Sequence, residues 1–448
     1  MNSTTFFSKT SPVKLFFIVS IPGAISMLAS SLYTIVDGVV VGQFLGATAF
    51  AAINLALPFV NINFSLADLI GVGSSVPISI SLGKKQEKEA NNIFTCSCLL
   101  IIGMGLLIGA VMFAAAPLLI RLMGAEGDFA KLAVQYMQVY ALCSSVTTTV
   151  FAFDNYFRIC GIIRGSMFLN IFMSVMCAIF EFLFLGVFRW GIWASALASC
   201  TGMFICAAIA FLPFIRKKTL LRFCRPRFEA KIIRQIVACG SPSFLSNVAS
   251  KITAIIMNAI LVRVGGEIAV SVYGVLMFID GFIQPLLYGM CDSVQPAIGY
   301  NWGSQKFSRV RAIEKVCYIA SAIFSLLSAV IIVLFPARIA KLFMSDADQT
   351  ILAMAVGAVQ LFSITYITRW FSFATQSFML AIEKALPATT ISASTALFFP
   401  VILIAVLYPL GLNGLWLNLP VTSVLAGILS IFILRKTWHE FNQPDSKT

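Results

Sequence analysis

Apolar stretches of about 20 residues recur from one end of this 448-residue chain to the other. At about 1.5 Å of rise per residue, a helix of that length covers the roughly 30 Å of hydrocarbon in a bilayer. A helix also satisfies its own backbone polar groups, which lipid cannot do, so such a chain folds as a bundle of spanning helices. With 59% hydrophobic and 11% charged residues, there is too little polar surface to clothe a soluble core. The sequence predicts an all-α polytopic membrane protein whose twelve spans lie near 15–42, 49–82, 90–116, 131–157, 165–187, 191–215, 236–262, 268–299, 312–335, 351–376, 386–408 and 412–434. Pro22, Pro58, Pro77, Pro285 and Pro296 fall inside spans and predict bent or tilted helices. The first stretch is long enough to span and shows no small-residue cleavage site, so it reads as a mature helix rather than a signal peptide.

Loop charges set the expected orientation, because Lys and Arg are retained on the cytoplasmic side. An internal N-terminus assigns 23 of the 31 basic residues to cytoplasmic segments, six to external loops, and Lys251 and Arg369 to the membrane. Both termini are then cytoplasmic. The net charge of +13 thus reads as a topology determinant and not as a nucleic-acid footprint. Its densest cluster, eight basic residues from Arg216 to Arg234, reads as a linker over 216–235 lying along lipid headgroups. It would divide a lobe over 1–215 from a lobe over 236–448. The eleven cysteines lie almost all in apolar runs without metal-type spacing, and read as small core residues.

The chain repeats itself. A shift of 220 residues aligns GATAFAAINLALPF, Gly46 to Phe59, with GEIAVSVYGVLMFI, Gly266 to Ile279, and superposes Gly83 on Gly303. Each repeat holds six spans, an even number, so the halves insert in the same sense and can pack about an axis along the membrane normal with a cleft between them.

Three strings carry a family resemblance that covers both halves: VDGVVVGQFLGATAFAAINLALPF ending span one, SLGKKQEKEA after span two, and QPAIGYNWGSQKFSRV after span eight. They resemble the repeated signatures of the multidrug and toxic compound extrusion (MATE) family, in particular its bacterial branch with an aspartate on the first helix. The resemblance implies a monomeric antiporter of the bacterial inner membrane, with H+ or Na+ entering as small drug-like molecules leave. It implies no cofactor beyond the coupling ion. The partners expected are a small-molecule substrate and the bilayer.

The ionisable residues lead to a similar reading by themselves. A charge at the bilayer centre costs roughly 2.5 to 3.5 kcal/mol on insertion scales, so an intramembrane acid usually faces a cavity and serves a function. Asp37 ends a polar stripe of Ser26, Ser30, Tyr33 and Thr34 on span one. Glu181 on span five follows Asn170, Ser174 and Cys177 at helical offsets. Both acids fall in the outer halves of their helices at similar depth, as neighbours sharing one cavity. Two acids in one low-dielectric pocket cannot both ionise cheaply, which is the condition for proton coupling. In the resembled family the span-five acid is usually Asp, preceded by Asn four residues earlier and accompanied by a hydroxyl on span six. Here those positions hold Glu181, Cys177 and Ser199. The thiol removes an oxygen ligand that a hard cation such as sodium wants, which favours protons.

The 220-residue counterpart of Asp37 is Met257, and the second lobe instead carries Lys251, Asp280, Gln284, Asp292 and Arg369. Two readings stand side by side for its charges: buried pairs that register helices, or cleft residues that bind polar parts of a substrate. Asp68 is a weaker candidate, and Asp154 lies one turn before Arg158, close enough for a local ion pair. A membrane-embedded enzyme is disfavoured, because His439 is the sole histidine and no HExxH, paired-aspartate or GxxxxGK[ST] motif occurs. A channel or receptor fits the duplicated cleft less well than a carrier. A lipid-linked oligosaccharide flippase of the same superfamily is the nearest rival, and Lys251 and Arg369 both facing the cleft would favour it.

Overall fold

The computed structural model describes residues 3–343 and 349–442, and among these the chain is helical with no strand. Nine helices among the described residues are long and apolar enough to cross a membrane. A further crossing is the pair Ile351–Ser363 and Thr365–Ala381, bent by 40°. The long helical segment Ala230–Gly303 breaks at Gly266 and supplies two crossings rather than one. Gly127–Leu142 and Ser144–Ile159 make up the remaining crossing. These are the twelve helices of two six-helix lobes.

The junctions follow from local chemistry. Pro12–Gly83 is interrupted only at Gly46 (φ 82°, ψ 176°), and its repeat partner Gly266 has φ 65° and ψ −159°. Residues with a Cβ avoid both conformations, so glycine alone joins the first and second helices of each lobe almost without a loop. Two expected spans require correction. The stretch 131–157 is not one continuous helix: it breaks at Cys143, whose N–H bonds back to Val139 and ends the turn. The last span does not start at 412, because Pro409 and Gly411 cut out a short helix, Gly411–Trp416, before Asn418–Asn442 begins. Span five loosens into a π-helical turn at Phe182–Val187, directly after Glu181, and span eleven does so at Ser394–Phe398.

Burial is distributed unevenly along the helices. Towards the end that carries the termini, one core runs through both lobes, from Leu15 and Phe16 through Ile78, Phe94 and Tyr156 to Val294, Ile298 and Phe378. Towards the Gly46 and Gly266 end it divides into two, one around Val60, Met137 and Tyr136, the other around Met257, Leu261 and Tyr366. Lipid supplies no hydrophobic drive for helices to associate, so close packing and hydrogen bonds must do so. At the termini end glycine makes this possible. A methyl on Gly240 would sit 1.8 Å from Leu69 O, one on Gly73 2.2 Å from Ile236 O, one on Gly303 2.2 Å from Ile80 O, and one on Gly83 2.1 Å from Tyr300 O. Backbone therefore lies on backbone along the seam between the lobes, and the lobes are closed at this end. Ser304 Oγ adds a hydrogen bond to Gly83 O at 2.9 Å. The basic linker is strapped to the first lobe: Asn91 and Asn92 accept the backbone N–H groups of Arg222 and Arg227 at 2.8 and 2.7 Å.

Candidate functional site

Polar chemistry inside the membrane segments gathers in three places. The first lies within the N-terminal lobe. Asp37 is half-buried, and Tyr33, one turn earlier, donates to its Oδ1 at 3.4 Å. The Tyr33 hydroxyl is also 2.6 Å from Ser199 Oγ on span six. Glu181 is 0% exposed, and Ser195 donates to its Oε1 at 3.4 Å. Its Oε2 is buried and receives no bond from an amide, hydroxyl or cation. The Asp37 and Glu181 carboxyl groups stand close enough to interact with each other's charge. Two carboxyls placed this near each other in a low-dielectric site resist ionising together. Among the described residues no Lys or Arg forms an ion pair with either acid. Cys177 completes this wall, its thiol donating to Ser199 O at 3.5 Å, and Thr34, exposed, bonds only to Ser30 O.

The second place is the C-terminal lobe. Arg369 Nη1 meets Asp280 Oδ1 at 2.8 Å, with side chains only 16% and 13% exposed. Tyr366 donates to the same oxygen at 2.8 Å. Opposite charges are thus matched across spans eight and ten. Gln284 donates locally to the Tyr288 hydroxyl. Lys251 is exposed and takes part in none of the ion pairs found among the described residues.

The third place lies between the lobes, on the closed side, where Asp68, Asp154, Arg158 and Asp292 line a cavity of about 270 Å³. Arg158 pairs with Asp154 at 2.7 Å, the i,i+4 contact expected from their spacing. Asp292 accepts from Gln295 at 2.8 Å and Ser377 at 3.0 Å, and Asp68 accepts from Asn247 at 3.1 Å. Asp292 therefore stands in this cavity and not with Asp280. Asn170, on the same helix as Glu181, donates to Asp154 Oδ1 at 2.6 Å, alongside Ser166. Eleven residues, about three turns, separate it from Glu181, which is more than 16 Å of rise.

Sequence reasoning missed three groups. Tyr136 and Tyr140, both buried, stand close enough to Asp37 to interact with its charge. Their signal was two intramembrane tyrosines one turn apart in the broken span four. Glu314 on span nine is 3% exposed beside Tyr318, with Oε1 lacking a donor. Near the end of its span and next to Lys315, it reads in sequence as a surface charge.

Comparisons with known proteins agree with the duplication. The sequence model of the MatE family matches residues 22–183 and again 242–406. The multidrug export protein MepA of Staphylococcus saprophyticus subsp. saprophyticus is 25% identical over 441 residues, covering 96% of each chain. Among solved structures, the outward-facing conformation of a multidrug resistance MATE family transporter of the MOP superfamily superposes with a TM-score of 0.93 at 21% identity over 99% of both chains. A MOP superfamily transporter from Pyrococcus furiosus, described as having a binding pocket of reverse polarity, superposes at 0.92 with 22% identity, again over 99% of both. These likenesses are of fold.

Proposed function

Because the chain belongs to the MatE family, and so is a multi-pass membrane transporter and not an enzyme, we propose that it exports small amphipathic, drug-like molecules in exchange for protons by alternating access. The observation that carries this reading is the placement of Asp37, linked through Tyr33 to Ser199, near the buried Glu181, with no basic ion-pair partner for either acid among the described residues. Two neighbouring acids that cannot both ionise cheaply in a low-dielectric site are suited to taking up and releasing one proton per cycle. The surrounding donors favour a proton over sodium. Tyr33 and Ser199 supply hydroxyl oxygens, but Cys177 presents sulfur where a sodium site would want another oxygen.

With both termini on the cytoplasmic side of a bacterial inner membrane, the closed glycine seam faces the cytoplasm and the divided end faces out. Protons then reach the Asp37 and Glu181 pair from outside while the substrate leaves. Rocking of the lobes opens the seam, the proton is lost inward, and a fresh substrate enters. One charge crossing 100 mV carries about 2.3 kcal/mol, sufficient for a neutral-substrate gradient of order fifty-fold. Commitment of Arg369 to Asp280 argues against the flippase reading, which needs free basic groups in the cleft.

Proteoliposomes with a proton gradient and a sodium gradient imposed separately test the proposal. Efflux of a fluorescent amphipathic substrate is expected to follow the proton gradient. A response to sodium alone would overturn the choice of ion, and a lack of saturation would overturn the carrier reading.

A further inference from the structure

All eight basic residues from Arg216 to Arg234 are exposed, and Glu229 is the one acid among them. Among the described residues none of the eight forms an ion pair, whether with Glu229 or with Glu87 and Glu89 at the start of span three. Charge that serves only to fix topology needs no particular backbone beneath it. Here the backbone is held. Residues 221–229 form no helix, yet side chains of span three take up their polar groups. Asn91 accepts from Arg222 N at 2.8 Å, Thr95 from Cys224 N at 3.1 Å and Asn92 from Arg227 N at 2.7 Å, while Asn92 Nδ2 donates to Arg227 O at 3.1 Å. Leu221 is fully buried, and the Phe223 ring packs on Phe94 and Phe211 with centroids 4.9 and 5.3 Å away. Arg222, Arg225 and Arg227 therefore stand on a fixed ribbon, with little backbone entropy left to lose when they close on a ligand.

The side chains on this ribbon define the chemistry of its partner. Guanidinium forks match phosphate oxygens. Phe223 and Phe228, 37% and 51% exposed, interleave with the arginines, so the matching ligand has an apolar part next to its anion. At the end of a membrane-spanning bundle such an amphipathic anion is a phospholipid, its phosphate on the arginines and its glycerol and upper acyl carbons against Phe228. A zwitterionic headgroup brings its own cation, which the basic cluster repels. A free phosphate leaves the rings uncovered.

We propose that the ribbon 221–228 binds the headgroup of an anionic phospholipid, with Arg222, Arg225 and Arg227 as phosphate ligands and Phe228 as the apolar contact. The residues that hold the ribbon all belong to spans three and six of the first lobe, so the site stays assembled whether the seam is closed or open. It is separate from the Asp37 and Glu181 pair and does not depend on which ion drives transport.

The test is native mass spectrometry of the purified full-length protein in detergent, titrated with palmitoyl-oleoyl phosphatidylglycerol or with its phosphatidylcholine counterpart. The first phosphatidylglycerol is expected to bind at least about tenfold more tightly than phosphatidylcholine. Arg222→Gln combined with Arg225→Gln should raise its Kd about 25-fold, roughly fivefold per charge, and Lys at both positions should keep it within about threefold. Phe228→Ser should raise it a few-fold. Arg435→Gln combined with Lys436→Gln, which removes two exposed charges from the last helix, should leave it unchanged. Thermal melting checks folding; if the paired Gln variant melts early, the contrast between Arg225→Gln and Arg225→Lys decides. Phosphatidylglycerol binding no tighter than phosphatidylcholine would overturn the proposal. So would equal weakening by the Arg435 and Lys436 changes, which would mean diffuse charge and no site. Displacement by glycerol 3-phosphate or by an acidic peptide at lipid-like concentrations would also overturn it, assigning the ribbon to a free phosphate or to a protein.

Discussion

The two lobes share a scaffold and differ in what they bury. At the position where the first lobe places Asp37, the repeat places Met257, 2% exposed in an apolar core. Where the second lobe places Asp280, the same 220-residue offset in the first lobe holds Val60, 1% exposed in its own core. Asp37 and Glu181 stand near each other with no ion-pair partner among the described residues; Asp280 is matched to Arg369 at 2.8 Å. Duplication has preserved the helix packing and the glycine turns, but not the charges. An unmatched acid pair can change its proton content at small structural cost, whereas an ion pair fixed across two helices resists any change in charge. The contrast is therefore between one acid pair that can titrate, Asp37 with Glu181, and one acid that is held by a cation, Asp280 with Arg369.

The comparison breaks most directly at Asp37. Asp37→Asn is expected to reduce energised export to the level of empty vesicles while the protein still inserts and melts as wild type; full export in proteoliposomes would remove Asp37 from the cycle. In the other lobe the expected damage is to stability. Arg369→Met leaves Asp280 buried without its partner and should cost about 3–5 kcal/mol, read as a lower melting temperature. Asp280→Asn combined with Arg369→Met should recover most of that loss, and failure to recover would mean that the pair does more than register helices. A smaller effect is expected at Glu181. Glu181→Gln removes one of the two proton-holding groups and should move the pH profile of transport by about one unit; an unmoved profile would count against the two-acid site. The mildest change is expected from Cys177→Asn, which adds an oxygen ligand beside Ser199 and should produce a sodium response of a few-fold at most in the same vesicle assay. A sodium response already present in wild type, and unchanged in the variant, would blur the distinction drawn at this residue.

How much of this was legible in the sequence depended on range. The spans and the repeat were, since hydrophobic length is a local signal and the offset aligns like residues; the junction role of Gly46 and Gly266 was not, because it lies in their backbone angles. Asp154 and Arg158 were readable as a pair because four residues make one helical turn. Arg369 and Asp280 were not assignable to each other, being 89 residues apart and joined only by the packing of two helices. The helical offsets of Asn170 and Glu181 gave a shared face but no depth, and a three-turn separation places the two residues in different layers. Glu314 was obscured by its position near a span end, where burial depends on neighbours that sequence does not reveal.

The glycine junctions at Gly46 and Gly266 have a mechanical consequence. With almost no slack between the first and second helices of each lobe, a displacement at the seam is transmitted around the hairpin and not absorbed by a floppy connection. Each hairpin works as a lever whose short arm is a single residue. Lengthening that residue into a flexible loop would leave both lobes folded but mechanically uncoupled, like an engine running out of gear.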